Sequence, residues 1–207
     1  MPTRAYYEER WQGLARGLEP SDLELRAGFL REHVAAGERV LDLGCGEGRF
    51  AAELERIGVS VLAADVAEEP LRRARELHPQ LELCLLGADG GWELPDAVFD
   101  AVWAGEVIEH VADTAAWLSE VRRVLRPGGR LLLSTPAHGR LEMLRLALSP
   151  RALSEHFDPR GEHLRFYTRA TLRELLEDFR FEAVDVRACG PPWARRLLLA
   201  RAVRSRF

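Results

Sequence analysis

At 207 residues, 47% of them hydrophobic, the chain has the length of one α/β domain with a substantial core, and a single domain over 1–207 is expected. A net charge of -4 argues against binding nucleic acid by bulk electrostatics, so a local basic patch is the route left open to such a partner and a small-molecule substrate fits better. Cys45, Cys84 and Cys189 lack C-x-x-C spacing, and no stretch approaches the ~18 apolar residues of a membrane span, which argues against a disulfide framework, a zinc knuckle and a transmembrane helix, and makes the cytoplasm the expected location.

Residues 5–17 and 21–36 read as N-terminal helices, the second opening on a capping-box pattern at Ser21 and Glu24. Strand 39–43, helix 47–57, strand 60–65, helix 68–77, strand 81–86, strand 99–103, helix 113–125 and strand 129–135 follow, with Gly128 and Gly129 turning the chain into the last of these. Such alternation predicts a parallel sheet covered by helices. Residues 138–168 interrupt it as a lid-like insertion. Helix 169–179, strand 181–188, a turn at Gly190-Pro191-Pro192 and an apolar run at 197–203 complete the chain, the last two strands reading as a hairpin on the sheet edge. Arg195, Arg196, Arg201, Arg204 and Arg206 are then the guard of a solvated edge strand, with an RNA-facing strip as the alternative.

The run VLDLGCGEGRF at 40–50 joins a buried strand to a glycine turn and a helix start. A dinucleotide fingerprint reads G-x-G-x-x-G, whereas Gly44, Gly46 and Gly48 read G-x-G-x-G, which argues against a pyrophosphate and against a nicotinamide-dependent oxidoreductase. Asp65 closes the second strand about 20 residues later, and Asp89 follows the third in GADG. FDAVWAGEVIEHV at 99–111 and RVLRPGGRLLLSTP at 123–136 contribute the fourth and fifth strands.

With these five elements in order, the chain resembles the class I S-adenosylmethionine-dependent methyltransferases over about residues 35–203. The resemblance implies a Rossmann-like, seven-stranded, mostly parallel sheet with helices on both faces, its last strand antiparallel, and a lid-like insertion after strand five. By the same resemblance Gly44, Cys45 and Gly46 lie against the methionine part of the cofactor, with Asp42 near its amino group. Asp65 takes the ribose hydroxyls, Asp89 takes the adenine amino group, and Val66, Ala88 and Glu106 are further cofactor contacts. Plainer roles remain open: Asp42 as a brace of the glycine loop, Asp65 as a helix cap, Asp89 as a turn residue, Cys45 as a packing residue, and Trp92 and Trp103 as core.

Methyl transfer is an in-line displacement, so the protein's task is to hold a nucleophile opposite the sulfur and exclude water. A hydroxyl acceptor also needs a base or a metal. Glu106, Glu109 and His110 follow strand four at spacings that share one face of a helical turn. The same E-x-x-E-H, with a distant histidine, resembles two branches of the family, the quinone-biosynthesis O-methyltransferases and the small-RNA 3′-terminal 2′-O-methyltransferases, where the group binds a divalent metal. His163 resembles that distant histidine, with His156 as second candidate. Two readings stand side by side. In one, Glu106, Glu109, His110 and His163 ligate a divalent metal; in the other, His110 or His163 is a direct general base. The expectation is therefore a methyltransferase acting on a small molecule at oxygen, the runner-up is an RNA 2′-O-methyltransferase, and a cofactor-binding module without catalysis is the reading from outside the class. No motif speaks to oligomeric state.

Overall fold

The computed structural model describes residues 4–87, 91–158, 160–190 and 196–206. Its centre is a seven-stranded sheet in the order β3-β2-β1-β4-β5-β7-β6, built from β1 (Arg39–Leu43), β2 (Ser60–Asp65), β3 (Glu82–Leu85), β4 (Phe99–Gly105), β5 (Leu125–Pro136), β6 (Phe181–Cys189) and β7 (Leu197–Arg204). All pairings from β3 to β5 are parallel, and β7 runs antiparallel to both of its neighbours.

Helices cover both faces because strands such as Val40-Leu41 and Val102-Trp103, fully buried on each side, have no face to give to water. On one face α2 (Leu23–His33) and α3 (Arg49–Arg56) contribute Phe29, Leu30, Phe50 and Leu54, packed around Trp103. On the other, α5 (Thr114–Val124) and α8 (Arg169–Asp178) contribute Leu118, Val121, Leu172 and Leu176. The remaining helices are α1 (Arg4–Gly13), α4 (Glu68–Leu77), α6 (Arg140–Ala147) and α7 (Pro150–His156). Among the described residues no helix is long and apolar enough to cross a membrane.

Three expectations are corrected. The apolar run 197–203 is not an edge strand: β7 pairs with β5 on one side and β6 on the other, which is why Leu197 to Ala200 are all buried, and β6 takes the edge. Of the arginine strip, Arg204 turns its guanidinium back onto the carbonyls of Arg123 and Leu125, while Arg196 and Arg206 are exposed; Arg195 lies outside the described residues, as do Pro191 and Pro192. The capping box does not form. Asp22, not Ser21, precedes α2, in a left-handed conformation with no side-chain cap, while Ser21 Oγ accepts from Arg26. Gly128 and Gly129 belong to an irregularity inside a longer β5, where the register against β4 jumps between the Phe99 and Ala101 pairings.

The sheet order reverses between β1 and β4, whose following chains depart to opposite sides. That leaves a crevice at the carboxyl ends of the strands, the usual ligand position in an open α/β sheet.

Candidate active site

A cavity of about 430 Å³ occupies this crevice, within the range of small-molecule sites. Gly44 from the end of β1, Asp65 and Val66 from the end of β2, and Glu106 from the end of β4 line it. Gly44 has φ +75° and runs so close to the wall that a Cβ there would lie 2.5 Å from Val107 Cγ2. Glycine is required by both conformation and space.

The turn's N–H groups are spent internally. Gly44 and Cys45 both donate to the Ala64 carbonyl, and Gly46 donates to Asp65 Oδ2 at 3.0 Å. Asp65 Oδ1 accepts from Ala67, so this carboxylate braces two turns while lining the cavity. Burial raises its pKa and these N–H groups oppose the rise. Asp42 sits below the turn rather than on the cavity wall. It is 2% exposed, and burial pushes its carboxyl up to about 7 against the opposing Ala51 N–H. That N–H belongs to α3 and not to the glycine turn, and Asp42 Oδ2 has no hydrogen-bond partner among the described residues. Cys45 is likewise buried, with its thiol pushed up by burial, and neither it nor Gly46 reaches the cavity lining. Ala88 and Asp89 lie outside the described residues.

At the end of β4 the helical-turn argument fails for Glu106. Its φ is +57°, and the 3₁₀ turn that follows spans only Ile108–His110, so Glu106 departs from the face shared by Glu109 and His110. Its Oε1 instead accepts from Ser134 Oγ and lies 3.5 Å from the Arg26 guanidinium. Glu109, His110 and His163 do come together, each offering a ligand atom within 4.8 Å of the others. The cluster is assembled by the insertion: the N–H groups of Leu164 and Arg165 both donate to the Glu109 carbonyl, which sets His163 with its ring 4.9 Å from that of His110.

His110 Nδ1 donates to the Glu162 carbonyl at 3.0 Å, which leaves the Nε2 lone pair on the side of Glu109. Glu109 Oε2 accepts from Thr135, while its Oε1 is buried without a partner among the described residues. Burial and the Glu106 charge push the Glu109 carboxyl up to about 8. Burial, with His163 and Arg10 beside it, pushes His110 down to about 4. A buried carboxylate with one unspent oxygen, beside one half-buried and one exposed imidazole, is a donor set that fits a divalent cation. His156 rests instead in an aromatic group with His138, Phe157 and Phe166.

Sequence reasoning missed the roof. Tyr7, Arg10 and Trp11 of α1 line the cavity, although α1 buries no residue of its own. Polar straps hold it: Tyr7 Oη donates to the His110 carbonyl, Arg10 pairs with Glu162, and Glu8 accepts from the N–H groups of Glu68 and Glu69 at the start of α4. Trp92 and Trp117 wall the opposite end, while Trp103 is core. Arg26 was also missed, a guanidinium 3% exposed whose Nε has no hydrogen-bond partner among the described residues.

Residues 16–186 match a family profile described as "Methyltransferase domain". A probable S-adenosylmethionine-dependent methyltransferase of Mycolicibacterium smegmatis is 37% identical over 153 residues, covering 74% of this chain and 55% of that protein. A ubiquinone biosynthesis O-methyltransferase of Xanthomonas oryzae is 34% identical over 176 residues, covering 80% of this chain and 72% of the relative. The chain thus spans a little over half of the first relative and under three quarters of the second. Among solved structures, the 1,6-didemethyltoxoflavin-N1-methyltransferase of Burkholderia thailandensis superposes with a TM-score of 0.68 at 21% identity, over 97% of this chain and 84% of that one. A SAM dependent methyltransferase from Aquifex aeolicus gives 0.69 at 22% identity, over 95% and 97%. These two share the fold. On the profile match and on the identity to the Xanthomonas relative, the chain belongs to the class I S-adenosylmethionine-dependent methyltransferase family.

Proposed function

We propose that this chain moves the methyl group of S-adenosylmethionine to a hydroxyl oxygen of a small-molecule acceptor, using Glu109, His110 and His163 at the acceptor end. The observation that carries the reading is His110 itself. It lines the same cavity as Gly44 and Asp65, with Nδ1 tied to the Glu162 carbonyl and Nε2 left unprotonated. Relatives named ubiquinone biosynthesis O-methyltransferase support oxygen as the acceptor atom.

On this reading Gly44 lets the cofactor approach the backbone, Asp65 and Val66 take the ribose, and Arg26 steadies Glu106 beside the methionine end. The roof of Tyr7 and Trp11 excludes water, which protects the sulfonium from hydrolysis and strengthens every polar contact inside. As the acceptor oxygen attacks, a carbon–oxygen bond forms and the carbon–sulfur bond breaks. S-adenosylhomocysteine leaves, and the hydroxyl proton passes to His110 Nε2 where no cation takes that nitrogen. Glu109, His110 and His163 are the residues that would hold a divalent cation, whose chemistry there is to make a coordinated hydroxyl more acidic.

The test is methyl transfer from labelled cofactor to a panel of catechols, other phenols, amines and RNA 3′ ends, alongside metal analysis of the purified protein. O-methylated phenol as the product is expected; methylation of amines alone, or of RNA ends alone, would overturn the proposal.

A further inference from the structure

α1 lies over the cavity without contributing a buried residue, so apolar packing is not what holds it there. Its Trp11 ring nevertheless rests on the glycine turn, since a Cβ on Gly46 would stand 3.0 Å from that ring. Trp11 therefore covers Gly46 and forms cavity wall in the same place. A helix seated in this way depends on polar contacts at its ends, where backbone groups lack partners within the helix.

One side chain collects those contacts. Arg73 of α4 is 4% exposed, and its guanidinium donates to the carbonyls of Trp11, Leu14 and Ala15 and to the carboxylates of Glu47 and Glu69. A cation in that place also meets the negative end of the α1 dipole, and its Cζ stands 5.9 Å from the centre of the Trp11 ring. Glu47 belongs to the glycine turn. One of its oxygens accepts from Arg73 at 3.1 Å and the other from the Gly17 N–H at 2.8 Å, just beyond α1. The end of α1, the glycine turn and α4 thus meet at one buried cation.

We propose that Arg73 is a positioning residue for cofactor binding: it latches the end of α1 to the glycine turn and so sets Trp11 over the bound S-adenosylmethionine. Arg73 does not line the cavity and acts through Trp11, which does. A guanidinium suits the task because its rigid fork fixes several acceptors at once, whereas an ammonium is a point charge on a flexible stem. When the latch opens, Trp11 lifts from Gly46 and that end of the cavity meets water. Cofactor affinity then falls in proportion to the fraction of molecules whose roof is in place. This inference rests on the cavity holding S-adenosylmethionine; it does not depend on the acceptor or on a cation at Glu109.

Limited trypsin digestion and calorimetry with S-adenosylhomocysteine test the latch in the full chain, with urea denaturation to establish that each variant folds. Arg73→Met is expected to speed cleavage after Arg10, within α1, at least about tenfold. It also weakens S-adenosylhomocysteine binding about tenfold, the value of one hydrogen bond to a charged group. Arg73→Lys, which keeps the cation without the fork, recovers part of both losses. Trp11→Ala weakens binding comparably, and adding Arg73→Met to it costs less than about twofold more, because nothing is left for the latch to position. The same cycle is run with Arg73→Lys, whose milder loss also vanishes in the Trp11→Ala background, so a methionine variant that fails to fold does not remove the test. Additive losses in the double variants overturn the inference, as do unchanged affinity or unchanged cleavage in a folded Arg73→Met. A wild type that does not bind S-adenosylhomocysteine overturns the cofactor reading, and the latch with it.

Discussion

The carboxylate of Asp65 accepts the Gly46 N–H at 3.0 Å, tying the end of β2 to the turn that follows β1. One side chain thus holds the glycine turn and presents itself to the cavity. Asp65→Ala leaves the buried N–H groups of Gly46 and Ala67 unpaired, at roughly 1–3 kcal/mol each. Urea denaturation is expected to show a loss of about 2–6 kcal/mol. In calorimetry the same variant loses on the order of 100-fold in S-adenosylhomocysteine affinity, the value of two hydrogen bonds to a charged acceptor. Asp65→Asn keeps one acceptor oxygen and falls between. Wild-type affinity in Asp65→Ala would remove this residue from the cofactor site.

Arg26 and Glu106 form the second coupled pair, an ion pair at 3.5 Å in which the arginine is 3% exposed. Removing the arginine takes away the ion-pair partner of Glu106 and leaves Ser134 Oγ as its hydrogen-bond donor among the described residues. Arg26→Met is expected to destabilise by about 3 kcal/mol. Adding Glu106→Gln recovers at least half of that loss, because the uncompensated charge has gone. Additive losses in the double-mutant cycle would show that the two side chains do not act as a pair.

Much of this architecture is legible in the chain because its strands are short apolar runs punctuated by glycine and acid. Val40-Leu41-Asp42-Leu43-Gly44 marks a strand buried on both faces and the place where it must turn, and the same logic finds β2, β4 and the helices between. The errors arise where tertiary contacts override local pattern. Leu197 to Ala200 show the continuous burial of an interior strand, and the reading of a guarded edge followed from counting arginines instead. Glu106 was placed on a helical face by spacing, yet the backbone takes a left-handed step there as β4 ends. The straps of α1 have no local signature, since Tyr7, Glu8 and Arg10 find partners that the fold alone brings near.

For the Glu109, His110 and His163 cluster, excess chelator is expected to lower turnover at least about tenfold, with recovery on adding back a divalent cation. His163→Ala reproduces the loss and does not recover. A second readout, paramagnetic resonance of added Mn²⁺, shows bound ion in the wild type and none in Glu109→Gln. Undiminished turnover in chelator, with no bound ion, would leave His110 as a base acting alone.

Asp42 gives stability a pH dependence opposite to that of an ion-paired acid. Burial raises its folded pKa from 3.8 to about 7, so the fold prefers the protonated carboxyl. This contribution is whole below pH 4 and is lost as pH rises through 7, amounting to at most about 4 kcal/mol. Asp42→Asn is neutral at every pH and lacks that loss. In the absence of cofactor, its denaturation midpoint measured against the wild type's should therefore be near parity at pH 4 and increasingly higher toward pH 8. A constant difference across that range would mean that Asp42 ionises in the folded protein as readily as it does in water.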